Sequence, residues 1–327
     1  MVRAPALEQS GTGGRLRAFV LAAGAGSRLR PLTDTLPKPL APVAGRPVTS
    51  HLLDRLDGLD LEAVALNVHH GADLVERCLG PGPHYIREDW LRGTAGALAG
   101  AGDFLSGGTF LVASADGVHE IDLAALAARH RASGASATIT VKHLAQPESC
   151  AIVELDNGIV RRFVEKPAAG EVFSTLASIG VYCFEPEVLE LIPHDRPFDI
   201  AAELIPALLA GGYPVAAYAT DAWWCDVGSP AELLVANLAA ARGEVGLRHA
   251  RQTEGMGEGV RVYERSEVGA DARIDAPAAV GPDARVGSGA VVSGALVLPG
   301  ASVEPGAVVE DAIHGDGHDV VRSWLRG

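Results

Sequence analysis

The stretch Ala18-Phe19-Val20-Leu21-Ala22-Ala23-Gly24-Ala25-Gly26-Ser27-Arg28-Leu29-Arg30-Pro31-Leu32-Thr33, followed by Pro37-Lys38-Pro39-Leu40, decides how the chain is read. Its apolar opening is a short buried strand, and the glycines that follow end it in a turn. Such a turn at the carboxyl end of a parallel strand lets backbone N–H groups approach an anion closely. In open α/β sheets, ligands bind at that edge. Arg28 and Lys38 stand at fixed offsets from the turn, and both can neutralise a polyphosphate. The loop is not a P-loop, because G-x-x-x-x-G-K-[ST] is absent. It is a poor dinucleotide fingerprint, because Arg28 to Pro39 does not open a regular helix.

Outward from this loop, short apolar runs alternate with helical patterns from Arg17 to about Arg242. Ala18 to Leu21, Ala63 to Leu66, Phe110 to Val112, Thr138 to Val141 and Ile159 to Val164 read as strands. Val48 to Leu56, Ala72 to Leu79 and Leu123 to Arg131 carry apolar residues at helical spacing. The alternation predicts an α/β fold with a doubly wound, mostly parallel sheet over residues 17–242. Residues 1–16 are read as a loose tail and 243–258 as a linker. From 259 to 327 a six-residue period takes over: Val268, Ile274, Val280, Val286, Val292 and Leu298, with the phase slipping by one to Val303 and Val309. Small residues, mostly alanine, recur four positions later. This predicts a short parallel β-helix of two to three coils.

The chain has 327 residues with 48% hydrophobic and 21% charged side chains, an ordinary globular balance. That length exceeds the roughly 250–300 residues at which one core stops growing, so two domains are expected. A formal charge of −14 argues against a nucleic-acid partner. The four cysteines lie far apart with no C-x-x-C pair, which fits a reducing cytoplasm better than a zinc module or a disulfide framework. The run Ala18 to Ala23 is far short of the roughly 20 residues a membrane span needs, so neither signal nor anchor is read.

At these residues the sequence resembles the sugar-1-phosphate nucleotidylyltransferases, whose signature is G-x-G-[ST]-R-L-x-P-L-T followed by P-K-P. The match continues through Gly93-Thr94-Ala95-Gly96, Asp116, Phe163-Val164-Glu165-Lys166-Pro167, Gly180-Val181-Tyr182 and Trp224-Cys225-Asp226-Val227-Gly228, in family order across residues 17–241. An appended hexapeptide coil is also common there. The resemblance implies a Rossmann-like nucleotidyltransferase domain followed by a short left-handed parallel β-helix that assembles a homo-oligomer. It implies a reaction between a nucleoside triphosphate (NTP) and a sugar 1-phosphate that gives an NDP-sugar and pyrophosphate, with Mg²⁺ as cofactor. Arg28, Lys38, Asp116 and Asp226 then carry catalysis, the two aspartates by holding the metal. Leu21, Ala22, Ala23, Gly24, Gly26, Ser27, Arg28, Lys38, Gly93 and Thr94 bind the nucleotide, with a plain N-cap as the other reading of Thr94. Glu165 and Gly180 face the sugar, and Lys166 its phosphate.

Within the family, Gly93-Thr94-Ala95-Gly96, the Asn67-Val68-His69-His70 segment and the coil look most like mannose-1-phosphate guanylyltransferases. Thymidylyl-, uridylyl- or adenylyltransferases acting on another phosphorylated sugar or cyclitol are the alternative. Ala115, Ser178 and Arg92 stand where the family often has glycine, asparagine and leucine, and Ser178 puts the identity of the hexose in question. A sensor that binds NDP-sugars without turnover is a second class of reading, and an acyltransferase coil a third. The coils are too few for the last, and His314 and His318 lie beyond them. His69-His70 lacks a third ligand at metal spacing, Trp223-Trp224 reads as packing around the sugar, and nothing beside Cys225 lowers its pKa.

Overall fold

A computed structural model describes residues 15–168, 170–253 and 257–325. Most of the expected tail and three residues of the expected linker lie outside that set. One boundary moves: the first strand begins at Leu16, inside the stretch read as tail.

Nine strands make one sheet: β1 (Leu16–Leu21), β2 (Leu61–Val68), β3 (His84–Arg87), β4 (Phe110–Ser114), β5 (Ala137–His143), β6 (Ala151–Asp156), β7 (Ile159–Glu165), β8 (Leu176–Phe184) and β9 (Val215–Ala219). Their order is β3-β2-β1-β4-β8-β5-β9-β7-β6. The block β3-β2-β1-β4 is parallel throughout, and so is the β5–β9 pair. However, β8 runs antiparallel to both β4 and β5, and β7 is antiparallel to both β9 and β6. The sheet is therefore mixed, not mostly parallel. The hairpin β6–β7 has a local cause: Asn157 and Gly158 both take positive φ, 51° and 79°, as a two-residue turn between antiparallel strands requires.

Among the described residues there are eight α-helices: α1 (Val48–Asp57), α2 (Ala72–Leu79), α3 (Gly93–Gly100), α4 (Gly102–Leu105), α5 (Leu123–Ser133), α6 (Ile205–Ala210), α7 (Pro230–Arg242) and α8 (Gly317–Trp324). Successive residues of β1 point to opposite faces, and both faces are covered. Phe19 joins Phe110, Ile139 and Phe184 under Leu98 of α3 and Leu208 of α6. Val20 joins Leu66 and Leu111 under Leu52 and Leu56 of α1 and Leu126 of α5. Burial on both faces is what reads as an unbroken apolar run in sequence. Between Ser27 and Leu40 the chain makes three separate 3₁₀ turns, Ser27–Leu29, Leu32–Asp34 and Lys38–Leu40.

Beyond residue 259 each described strand pairs in parallel with a strand 17 or 18 residues away. Val268, Val286 and Val303 align in one row, and Ile274, Val292 and Val309 in another. Gly281 and Gly287 are needed because a Cβ on either would lie 2.5 or 2.4 Å from the next turn's backbone. The phase slip falls earlier than the aliphatic spacing suggests. Asp275 pairs with Ser293 but Ala278 with Ala295, so the extra residue is absorbed at Ala276-Pro277 as a bulge. Val297, not Leu298, therefore aligns with Val280.

The coils share a core with the rest of the chain. Leu29, Leu36 and Leu40 belong to one buried cluster with Leu233, Ala236 and Ala240 of α7 and with Val280, Val292 and Val297. Among the described residues, no helix is long and apolar enough to cross a membrane. Val292 is fully buried, so Val292→Ala is expected to cost about 2 kcal/mol. Because the core is continuous, denaturant melts followed by tryptophan fluorescence and by far-UV circular dichroism should shift together as one transition.

Candidate active site

The site is built where β1, β2 and β4 end side by side. Leu21 aligns with Asn67 on one neighbour and Ser114 on the other. The chain then leaves β1 as the glycine loop and leaves β4 toward Asp116. Asn67 fixes the start of the loop, its Oδ1 accepting from the Ala22 N–H at 2.7 Å. The Thr33 hydroxyl donates to the Gly26 carbonyl at 2.7 Å and closes the loop's far end. Gly26 is left-handed, φ +64°, and a Cβ there would press within 3.0 Å of Lys38 Cβ. A Cβ on Gly24 would meet nothing within 4 Å, so this stretch of backbone is open to a ligand.

Two confluent cavities meet here. The first, about 280 Å³, is lined by Leu21, Ala22, Ala23, Gly24, Asn67, Glu88, Gly93 and Thr94. The second, about 390 Å³, is lined by Arg28, Glu165, Lys166, Gly180, Trp224 and Asp226. Lys38, Ser114 and Asp116 line both and mark the junction. Expected nucleotide contacts Gly26 and Ser27 line neither, because Gly26 serves the turn and Ser27 faces solvent.

At the junction Lys38 pairs with Asp116, whose other oxygen accepts from the Ser114 hydroxyl. Asp226 is brought alongside by the ribbon of Gly117–His119 with Trp224–Asp226, in which Asp226 aligns with Gly117. The Val227 N–H also donates to the Asp116 carbonyl at 3.0 Å. Burial pushes the Asp116 carboxyl up, but the charge and hydrogen bonding of Lys38 outweigh it and hold the group below the usual carboxylate range. Burial and then the charge of Asp116 push Asp226 up to about 7. Two carboxylates thus share a single lysine, a deficit that a divalent cation with phosphate oxygens would fill.

In the second cavity β8 carries a register shift between Ser178 and Tyr182, and Gly180 sits in it at φ +75° with open space at its Cβ position. Lys166 holds φ +44°, a conformation unusual outside glycine, and its ammonium pairs with Glu165 at 3.1 Å while two-thirds exposed. Arg28 has no carboxylate partner among the described residues, and a Cβ on Gly228 would lie 2.7 Å from its guanidinium. Thr94 lies within the first turn of α3, whose N-cap position is Arg92, so it does not cap that helix. Its hydroxyl donates to Asp199 Oδ2 and accepts from the Ile200 N–H, both at 2.7 Å. Gly93 is demanded by packing, since a Cβ would lie 2.6 Å from the Phe198 carbonyl. His69 donates from Nδ1–H to the Glu88 backbone carbonyl at 2.7 Å, and no metal cluster of three or more ligands forms among the described residues. Burial pushes the Cys225 thiol up to about 12, which leaves it unreactive.

Residues 17–243 match the family model described as nucleotidyl transferase. The chain is 34% identical over 233 residues to the UTP–glucose-1-phosphate uridylyltransferase of Synechocystis, covering 65% of this chain and 60% of that protein. It is 32% identical over 237 residues to the mannose-1-phosphate guanylyltransferase of Mycobacterium tuberculosis, covering 69% and 65%. The chain belongs to the sugar-1-phosphate nucleotidylyltransferase family. It is also similar to a solved Bacillus anthracis chain, provisionally described as a glucose-1-phosphate thymidylyltransferase and crystallised with sucrose, at TM-score 0.62 and 25% identity over 69% of this chain and 95% of that one. The matched region spans less than two-thirds of the length of these curated relatives.

Sequence reading passed over four members of this nucleotidylyltransferase site. Glu88 is 9% exposed and accepts from the Asn67 amide at 2.8 Å. Asn67 reads in the sequence only as the start of the Asn67–His70 segment, with no role in the site. Ser114 carries no signal beyond lying two residues from Asp116, and Asp199 stands apart from every motif.

The shared charge at the junction gives a test in metal-free buffer. Asp226 stays protonated in the folded chain up to about pH 7, whereas in the unfolded chain it ionises near pH 4. The folded state binds the extra proton between these values, so stability falls as pH rises through that window. Asp226→Asn removes the penalty. With EDTA present, the variant is expected to match the parent near pH 4 and to exceed it by about 2–4 kcal/mol above pH 7 in denaturant melts.

Proposed function

We propose that this protein joins an NTP to a sugar 1-phosphate, releasing pyrophosphate, with GTP and mannose 1-phosphate as its preferred pair and Mg²⁺ as cofactor. The observation that carries the reading is the junction of two cavities at Lys38 and Asp116. A transfer between two phosphorylated substrates needs their reacting phosphates to meet in one place, held in line. The open backbone at Gly24 suits a phosphate of the nucleotide, and Arg28 and Lys38 suit the charge building on the leaving pyrophosphate. Lys166 suits the phosphate of the sugar, with Glu165 and the Gly180 backbone at its hydroxyls. A sugar-phosphate oxygen forms the new bond to the α-phosphorus as the bond to the β-phosphate oxygen breaks. The attacking oxygen is already ionised, so no general base is required. Asp116 and Asp226 would hold Mg²⁺, which when bound neutralises phosphate charge.

Glu88 supports the choice of GTP. It is a buried carboxyl group on the wall of the first cavity, and both its oxygens act as acceptors there, Oε1 from the Asn67 amide and Oε2 from the Arg92 N–H. Guanine alone among the bases presents two adjacent donors, N1–H and N2–H, on its pairing edge; uracil and thymine set acceptors either side of their single donor. The mannosyl preference follows the guanylyltransferase named among the relatives. The parallel coils read as a left-handed β-helix, and the free edge at Val308–Glu310 suits assembly of a homo-oligomer. Cytoplasmic residence suits four cysteines that are all unpaired.

Pyrophosphate release measured with five NTPs against several sugar 1-phosphates tests the reading. GTP with mannose 1-phosphate should give the highest kcat/KM. Glu88→Gln should cut the preference for GTP by about 10–100-fold, and Asp116→Ala or Asp226→Ala should each lower kcat by about 10³-fold with the fold intact. Binding of NDP-sugars with no pyrophosphate release from any pair would make the protein a sensor instead.

A further inference from the structure

After the last coil the chain turns back toward the glycine loop. Helix α8 begins at a capping box, with Asp316 accepting from the His318 and Asp319 N–H groups and Asp319 answering to the Asp316 N–H. One side of α8 rests on the coils: the Ser323 hydroxyl donates to Asp283 at 2.8 Å, and a Cβ on Gly300 would lie 2.7 Å from the Asp319 carbonyl. The other side rests on the segment that carries Lys38. A Cβ on Gly317 would lie 2.3 Å from Thr35 Oγ1 and 2.4 Å from the Leu32 carbonyl, so the helix start touches that backbone directly. The Trp324 indole N–H reaches the Leu40 carbonyl at 3.4 Å. Val320 is fully buried in the same cluster as Leu32, Leu36 and Leu40.

We infer that α8 is a positioning clamp for the nucleotide-binding segment, gripping residues 32–40 at both ends through Gly317 and Trp324. Between those two contacts the segment holds the groups that set the site. Thr33 closes the glycine loop onto the Gly26 carbonyl, and Lys38 passes behind Gly26 to reach Asp116. Three short 3₁₀ turns have few internal hydrogen bonds to hold a lysine in place. Packing from outside must do so: the Thr49 hydroxyl of α1 donates to the Pro39 carbonyl at 2.9 Å, Gly71 at the start of α2 presses on Pro37, and α8 adds the contacts at Leu32, Thr35 and Leu40 from the far end of the chain. The last helix of the coil module therefore contributes to NTP binding, although no residue of it lines either cavity.

This inference rests on the proposed reaction for its kinetic arm only. Three variants of the full chain test it: deletion of residues 316–327, Trp324→Ala with Trp324→Phe as its conservative partner, and Gly317→Ala, which keeps the helix but sets a methyl against Leu32. Hydrogen exchange should show amides of residues 32–40 opening about tenfold faster in Trp324→Ala and in Gly317→Ala with the coil amides of 260–310 unchanged, and in the deletion with added opening confined to the coil stretches α8 covers, around Asp283 and Gly300. KM for the NTP should rise about tenfold while KM for the sugar 1-phosphate stays within about twofold, and Trp324→Phe should retain most parent behaviour. Unchanged exchange at 32–40, or faster exchange spread evenly over the coils, would reduce α8 to a cap on the coil stack and overturn the clamp. If the parent releases no pyrophosphate with any pair, the proposed reaction falls, while the exchange measurement still decides the clamp.

Discussion

The ion pair between Lys38 and Asp116 is the constraint on which the other parts converge. Asp116 is buried, and Asp226 is held beside it by a two-stranded ribbon, so one lysine must serve two carboxylates. Such a cluster costs stability in isolation, since a buried like-charge pair repels and each charge has lost its water. It persists because the sheet leaves no alternative. Leu21 and Ser114 lie in register, which fixes where the glycine loop and Asp116 emerge, and the Gly26 turn fixes where Lys38 returns. Under the proposed reaction, a site short of positive charge would gain when cation and phosphate enter together, and that gain would be available to orient them.

Much of this was legible in the sequence because the decisive residues are those whose chemistry allows few substitutes. Gly26 needs a left-handed turn against Lys38, and Glu165, Lys166, Gly180 and Asp226, far apart in sequence, line one cavity. The helices α1, α2 and α5 were readable because each buries one stripe against the sheet. What failed was of a different kind. The position of β8, antiparallel between β4 and β5, depends on pairing between residues far apart in the chain, and no local pattern reports it. The Asn157-Gly158 turn did report its hairpin, and the alternation of strands and helices drew attention away from it.

The site's silent members share a similar cause. Glu88 and Asn67 act as a pair across 21 residues, each satisfying the other, and singly each is an ordinary polar residue next to a strand. Asp199 is tied to Thr94 across more than a hundred residues, so the threonine on the cavity wall also tethers α3 to the segment leading to α6. The coil phase slip was misplaced because spacing alone follows aliphatics, whereas the register follows backbone. The bulge at Ala276-Pro277 shifts the pairing between Ser293 and Ala295, ahead of the step from Leu298 to Val303 where the aliphatic spacing changes.

The buried cluster that joins Leu29, Leu36 and Leu40 to α7 and the coils also bears on how this architecture can be re-engineered. A module attached by a tether can be exchanged for another at the tether. Here the surface exposed by a cut near residue 243 would be core on both sides, with apolar faces shaped only for each other. A chimera carrying a foreign coil would therefore need the underside of the glycine loop redesigned with it, so the unit of exchange is the interface and not the repeat.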